Sequence, residues 1–317
     1  MNSPMTVASI PMLPSITRLL RDSPAAGGRS AAGSMLSLPG GDRWGVFDPY
    51  NHRLKLYGVR PGCLDPGSTG LPLYVAAEDT RLFSKILVYA ADGSESEWRR
   101  LGFTKEGVIS GFYPDRTPAH IWSLMTSPER WSAPGEAQHD RTLTLAAAKS
   151  RIEPELPPGY QSLRANASDA AAIARLMKDT FAEYPTPITA ERIANLITKK
   201  SNHFRWIRNP AGRMAAVASG EIDHRNRCAE MTDCATRPEE RGRGLMACLL
   251  AHIESDLLEL YNIDDLYTLA RADEIGMNCV FGKLGYKYTG RLVNNCRMPN
   301  GWESMNIWCK TGERRGV

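Results

Sequence analysis

What this chain lacks narrows it first. No apolar run approaches the length of a membrane-spanning helix, which needs about 20 residues. Pro4, Pro11 and Pro14 interrupt the first residues, where a secretory leader would carry an unbroken apolar core. Charge of one sign is nearly missing: 39 Lys and Arg against 35 Asp and Glu leave a formal net charge of +4, and the basic residues are scattered. So mild an excess gives no reason to expect a nucleic-acid partner. The six histidines stand apart and the seven cysteines include no Cys-x-x-Cys pair. No metal site is expected, and an odd set of cysteines among apolar neighbours fits reduced thiols in the cytoplasm. What remains is 317 residues, 42% hydrophobic and 23% charged, the balance of an ordinary globular protein with room for two domains.

The most informative stretch runs from Thr236 to Leu249. A proline-punctuated turn leads into Arg241-Gly242-Arg243-Gly244, followed by the apolar residues of a long helix beginning Leu245-Met246. Glycine lets the backbone approach a ligand closely, and the first turn of a helix leaves N–H groups without partners. With two arginines beside them, those donors suit a pyrophosphate. A glycine pair alone would equally fit a surface turn capping a helix. Here Ala229 to Thr236 reads as a strand in front of it, and Asn278 to Tyr286 forms a second helix–strand junction about thirty residues on.

Residues 1–40, rich in Ser, Ala, Gly and Pro, read as a flexible extension, with a short helix expected at Ile16–Arg21. Residues 41–131 form a compact block. Strands are expected at Arg53–Tyr57, Lys85–Tyr89 and Val108–Phe112, a helix at Glu95–Leu101, and a further element at Ala119–Met125. Its Leu101-Gly102-Phe103 repeats the setting of Leu284-Gly285-Tyr286. Residues 132–154 are expected to link the blocks, with a helix over Leu143–Ser150. From 155 to 317 the pattern predicts a strand at Tyr160–Ala165, a helix over Asp169–Tyr184 capped by Ser168, and a helix over Ala190–Lys199. A hairpin around Asn209 to Gly212 follows, then strands and helices in alternation to Lys310. This order predicts an α/β fold: one mixed, twisted sheet with helices on both faces, preceded by a smaller α/β domain.

Arg241-x-x-Gly244 resembles the acetyl-coenzyme A motif of the GNAT N-acetyltransferases, Gln/Arg-x-x-Gly-x-Gly/Ala, with Met246 departing from its last position. The Asn278 fragment is similar to the helix–strand junction of that superfamily. The 41–131 block looks like half a GNAT domain without the cofactor turn; an unrelated cap is the alternative. Within the superfamily, Glu230 to Thr236, Pro238 to Met246, Asn278 with Lys283 to Tyr286, Gly290 to Asn295 and Met305 to Lys310 resemble the beta-lysine N-acetyltransferases. That family carries an extra domain, and Lys85-Ile86 and Gly102 to Phe112 resemble its pattern.

The resemblance implies a splayed GNAT sheet, acetyl-coenzyme A as cosubstrate, and beta-lysine as acceptor, acetylated to a compatible solute under salt stress. Glu230 is then the first candidate base and Asp233 the second. By strand alternation the two lie on opposite faces unless a bulge intervenes. Backbone N–H groups of Cys234, Ala235 and Thr236 would meet the oxyanion. Arg241, Gly242, Arg243, Gly244, Leu245 and Met246 would hold the pyrophosphate, and Asn278 would bond the pantetheine or the strand carbonyls. Phe281 stands where many members place a tyrosine acid; Tyr286, Tyr288 or water would replace it. Arg225, Arg271, Arg291 and Arg297 are candidates for a substrate carboxylate, and Asn294, Asn295, Asn306 and Trp308 for the amine pocket. Another amine (a polyamine, lysine or a protein terminus) or a non-catalytic acyl-coenzyme A sensor remain the alternatives. Neither nucleic acid nor a membrane is expected as partner, and the oligomeric state cannot be read from the sequence.

Overall fold

The computed structural model describes residues 34–37, 44–63, 83–91, 95–131, 135–184, 186–299 and 301–312. Of the expected N-terminal extension only a strand at Ser34–Ser37 falls within them; the helix expected at Ile16–Arg21 lies outside. Among the described residues the strands form a single sheet of thirteen. In chain order they are β1 Ser34–Ser37, β2 Trp44–Asp48, β3 Arg53–Tyr57, β4 Lys85–Ala90, β5 Thr104–Ile109, β6 Ala119–Met125, β7 Gln161–Arg164, β8 Asn202–Arg208, β9 Met214–Asp223, β10 Cys228–Thr236, β11 Asp265–Arg271, β12 Lys287–Met298 and β13 Gly301–Lys310. The helices are α1 Glu95–Arg100, α2 Glu136–Ala147, α3 Ala170–Thr180, α4 Ala190–Thr198, α5 Leu245–Tyr261 and α6 Ile275–Lys283. In space the strands run β1-β2-β3-β4-β6-β5-β12-β13-β11-β10-β9-β8-β7.

The sheet is written twice. In the first half β3 pairs parallel with β4, β4 antiparallel with β6, and β6 antiparallel with β5. In the second, β10 pairs parallel with β11, β11 antiparallel with β13, and β13 antiparallel with β12. The details repeat as well. Gly102 and Gly285, both at positive φ, precede β5 and β12. Five residues on, Gly107 and Gly290 lie opposite Ile121 and Ile307, each just after a break in register. The halves join where these glycines face one another across antiparallel β5 and β12. A Cβ on Gly290, at φ +154, would overlap the Glu106 carbonyl and Gly107 Cα. Only glycine at both places lets the strands approach this closely.

Alternation along each strand sorts the side chains. Leu54, Leu56, Ile86, Val88 and Trp122 pack under Trp98 of α1. Ala216, Ala218, Ala229 and Met231 pack against Leu249, Leu250 and Ile253 of α5. Ile173, Met177 and Ile193 of α3 and α4 cover Phe204 and Val217 on the other face. The second half therefore carries helices on both faces. A further core joins the halves: Tyr89, Ile109 and Phe112 pack with Cys228, Met305 and Ile307. The sheet curls, so that strands far apart in its order share one interior.

Buried charges fasten the junction. Lys85 is fully buried, 2.8 Å from Glu106 and 2.6 Å from the Val293 carbonyl, while Glu106 accepts from the Val293 N–H at 3.0 Å. Arg130, also fully buried, donates to Ser84 Oγ at 2.7 Å and to the carbonyls of Asn294 and Asn51, and its guanidinium stacks 3.3 Å from the Trp302 ring centroid.

Several elements differ from expectation. β5 begins four residues before the expected Val108, because Thr104 to Gly107 continue the ladder with β6. α2 begins at Glu136, well before Leu143. The turn before α3 is capped by Asn166, whose side chain accepts from Ser168 N–H and which forms a capping box with Asp169; Ser168 lies within that turn.

Candidate active site

The site begins where β10 and β11 part. Their parallel pairing covers Cys228, Ala229 and Glu230, opposite Asp265, Leu266 and Tyr267, and ends there. Thr268 Oγ1 then donates 2.8 Å to the Met231 carbonyl. From Thr232 on, the β11-facing edge of β10 is open. Its other edge stays paired with β9, with a bulge between Thr232 and Ala235 at which Asp233 takes φ +55.

That bulge decides where the carboxylates point. Glu230 lies opposite Glu221, and Thr232 opposite Ser219. Asp233 turns to the same side: it accepts 2.6 Å hydrogen bonds from the hydroxyls of Ser219 and Tyr184. Two carboxylates directly opposed across a ladder repel. Burial first, and then the Glu221 charge, pushes Glu230 up to about 7, against the opposing pull of Lys55 and a hydrogen bond from Tyr267. Glu221 is raised as well, by burial and then by Asp233. Yet Glu230 is only half-buried and Glu221 is exposed. Groups surrounded by protein but still reached by solvent line a cleft.

The aromatic wall of that cleft comes from both halves. Tyr57 stacks on Tyr89 at 4.5 Å and lies 6.4 Å from Phe112, and Phe112 meets Tyr267 at 6.1 Å. Tyr267 is the partner of Glu230 across the strands.

Beyond the bulge the chain turns through Pro238–Glu240 into α5. Gly242 and Gly244 take φ +79 and +76, and a Cβ on either would meet nothing within 4 Å. Their surroundings are open, and it is the dihedral that calls for glycine. Glu240 anchors the turn from below, accepting 2.7 Å hydrogen bonds from Asn209 Nδ2 and Tyr160 Oη. Arg241 and Arg243 are exposed. Arg241 Nε donates to the Thr236 carbonyl at 3.3 Å, and Arg243 lies 3.4 Å from Glu240. Leu245 and Met246 open the helix with their side chains in the core. The Met246 side chain is thus turned away from the exposed face of the turn, and only its backbone is offered there.

Several expected site residues are committed elsewhere. Asn278 is fully buried. Its Nδ2 donates to the carbonyls of Arg271 and Glu274, both at 2.8 Å, and its Oδ1 accepts from Asn306 Nδ2 and Trp308 Nε1, both at 2.9 Å. All four positions of the amide are filled, which leaves none for pantetheine. Asn278, Asn306 and Trp308 form a polar knot between α6 and β13. Asn294 is buried and tied to Ser304 and Glu129, beside buried Asn295. Arg271 is paired with Glu303 at 2.5 Å and Arg291 with Asp140 at 2.9 Å; Arg225 and Arg297 are exposed. Phe281 is buried against Tyr286 at 5.1 Å. The Tyr286 phenol is pushed well up by burial and then by Glu254 of α5, which puts it on the helical face. Tyr288 packs on Trp308.

The sequence reading missed Glu221, Ser219, Tyr184, Lys55, Tyr57 and Tyr267. Glu221 was within reach: the hairpin closes with Asp223 opposite Cys228, and counting two back and two forward sets Glu221 against Glu230. The residues from the first half carried no such signal, because the curl of the sheet brings them in.

Parallel strands that part beside a basic glycine turn define a class, and the chain belongs to it: the GNAT acetyltransferase family, which residues 170–286 match. It is an N-acetyltransferase, with acetyl-coenzyme A as cosubstrate. It is 35% identical over 257 residues to the beta-lysine N(6)-acetyltransferase of Methanosarcina mazei, covering 74% of this chain and 94% of that protein. It is 31% identical to N-acetyltransferase YodP of Bacillus subtilis, covering 83% and 94%. Matches of this length cannot fit within residues 155–317, so these relatives share part of the first half too. Among solved structures, the ribosomal-protein-S5-alanine acetyltransferase of Vibrio fischeri aligns at 12% identity and a TM-score of 0.45, covering 52% of this chain and all of that one.

Proposed function

We propose that the enzyme acetylates the side-chain amine of a small amino acid, with beta-lysine as the acceptor and N6-acetyl-beta-lysine, a compatible solute, as the cytoplasmic product. The observation that carries this reading is Glu230, a carboxylate raised to about 7 at the mouth of the splay, in an acidic and aromatic cleft. A base poised near neutrality can take a proton from an alkylammonium and return it to solvent. Glu221 and Asp233 add the negative charge that draws the ammonium in, and the rings of Tyr57 and Tyr267 suit its methylene stem. The name of the Methanosarcina mazei relative, a beta-lysine N(6)-acetyltransferase, supports the same acceptor, and that of the Bacillus subtilis relative supports transfer to an amine.

In the reaction Glu230 accepts the ammonium proton, directly or through water. The free amine attacks the thioester carbonyl, forming the C–N bond. The oxyanion is met by backbone N–H groups on the open edge near Cys234, Ala235 and Thr236. The nitrogen then loses its second proton as the C–S bond breaks, and coenzyme A leaves as a thiolate, which takes up one proton, so that an amide and a thiol result. Phe281 has none to give. The Tyr184 hydroxyl is committed to Asp233 and burial, then Asp233, holds it well above the ordinary phenol value, so Tyr286, Tyr288 or water remains to serve the thiolate. The pyrophosphate would rest on the turn from Arg241 to Met246.

The acidic, aromatic lining also suits a polyamine. Turnover of acetyl-coenzyme A with beta-lysine, alpha-lysine, cadaverine and spermidine separates the readings. Beta-lysine is expected to be best, with the acetyl group found on its terminal amine by mass spectrometry. Rapid turnover of spermidine with none of beta-lysine would remove the proposal.

A further inference from the structure

The described residues of the first half include no cofactor turn, yet that half faces the cleft. On β3, Leu54 and Leu56 enter the core under α1, so Arg53, Lys55 and Tyr57 turn inward. The registers fix what faces what. Lys55 pairs with Leu87, and two residues on Tyr89 pairs with Ile121, which lies opposite Gly107. Glu230 pairs with Tyr267, and two residues on Leu269 pairs with Ile307, which lies opposite Gly290. Lys55 and Glu230 therefore hold matching positions in the two halves, facing each other over the curled interior. The ring series Tyr57, Phe112, Tyr267 spans the space between their strands.

We propose that Lys55, resting on the amino-acid reading above, binds the carboxylate of the acceptor while Glu230 and Glu221 hold its side-chain ammonium. The inward cation beside it, Arg53, is buried and committed to Asp48 at 2.7 Å. Lys55 is half-buried and forms no ion pair with any described residue, although its charge is felt by Glu221, Glu230 and Asp48. It stands across the cleft from the carboxylates rather than upon them. A molecule with an ammonium at one end and a carboxylate at the other bridges that gap. A polyamine has nothing to offer Lys55 and is repelled by it. Arg192 of α4, a further cation felt by Glu221, serves as a control.

The test compares kcat/KM for beta-lysine with that for a diamine lacking the carboxylate, in wild type, Lys55→Met, Lys55→Arg and Arg192→Gln. In Lys55→Met the preference for beta-lysine is expected to fall roughly 10- to 100-fold, through KM, the size of a lost hydrogen bond to a charged group. The diamine should be used as well or better. Lys55→Arg should keep the preference, and so should Arg192→Gln. The acidic limb of the kcat/KM profile for the diamine should move to higher pH in Lys55→Met, because a cation that favours ionised Glu230 is gone; a merely structural lysine would not move it. A wild-type enzyme that prefers the diamine overturns the amino-acid reading and this assignment together. A wild-type preference for beta-lysine that survives in Lys55→Met overturns the assignment alone.

Discussion

The two halves of the sheet share a strand order and put it to different uses. In the first, β3 and β4 stay paired through all five residues of β3, Arg53 to Tyr57. In the second, β10 and β11 part after Glu230, and the bulge at Asp233 swings the freed backbone outward. Trp98 and Phe281 each stand four residues before a positive-φ glycine, Gly102 and Gly285, and each is buried under its half. The second half has seventeen-residue α5 with a glycine turn at its start. The same strand order thus makes either a closed wall or a binding slot, according to whether the central pair stays zipped.

The comparison can be broken first at the junction. Lys85→Met should strand Glu106 without its cation and destabilise the protein by about 3–5 kcal/mol, the usual result of removing one member of a buried pair. Chemical denaturation should show the loss in both halves at once; a first half that unfolds alone would mean the halves are independent. Glu230→Gln should lower kcat by on the order of 10²-fold or more, with acetyl-coenzyme A affinity unchanged by calorimetry. Wild-type turnover in that variant, with a large loss in Asp233→Asn, would move the base to Asp233. Gly290→Ala should cost about 1–3 kcal/mol through overpacking against Glu106 and Gly107, read as a lower Tm. Gly244→Asp should weaken acetyl-coenzyme A binding, through its left-handed dihedral and by repelling the phosphates, and leave the first half untouched.

The smallest expected effect is on stability against pH. The folded pKa of Glu230, about 7, lies above its ordinary value of 4.5. The folded state therefore holds the proton more tightly, and stability is lost as pH rises from about 4.5 through about 7. Glu221 adds in the same direction. Glu230→Gln should flatten that decline in Tm, and an unchanged slope would show that Glu230 ionises freely.

Much of this was legible in the sequence. The strand expected at Ala229 to Thr236 is β10, which starts one residue earlier at Cys228, and the glycines before Leu245 marked the start of α5. The likeness of Leu101-Gly102-Phe103 to Leu284-Gly285-Tyr286 pointed to the doubled sheet. Asn278 takes the second of its two expected roles, its Nδ2 donating to the carbonyl of Arg271 at the end of β11, while Trp308 and Asn306, thirty and twenty-eight residues away in sequence, fill its acceptor. The Asp233 bulge could be named only as the condition for Glu230 and Asp233 to share a face, because an extra residue leaves no mark on a strand read in twos. The cleft wall from β3 was hidden because curling is a property of the whole sheet, set by strands that no local pattern connects.

The face-to-face glycines at 107 and 290 have one more consequence. A pocket shared by two separate molecules empties on dilution, since its walls part once the concentration falls below the dissociation constant. Here both walls belong to one chain, so the partner strand is always present at the effective concentration of a tether. The acceptor cleft of this enzyme should therefore survive at any dilution, with specific activity independent of how little protein is present.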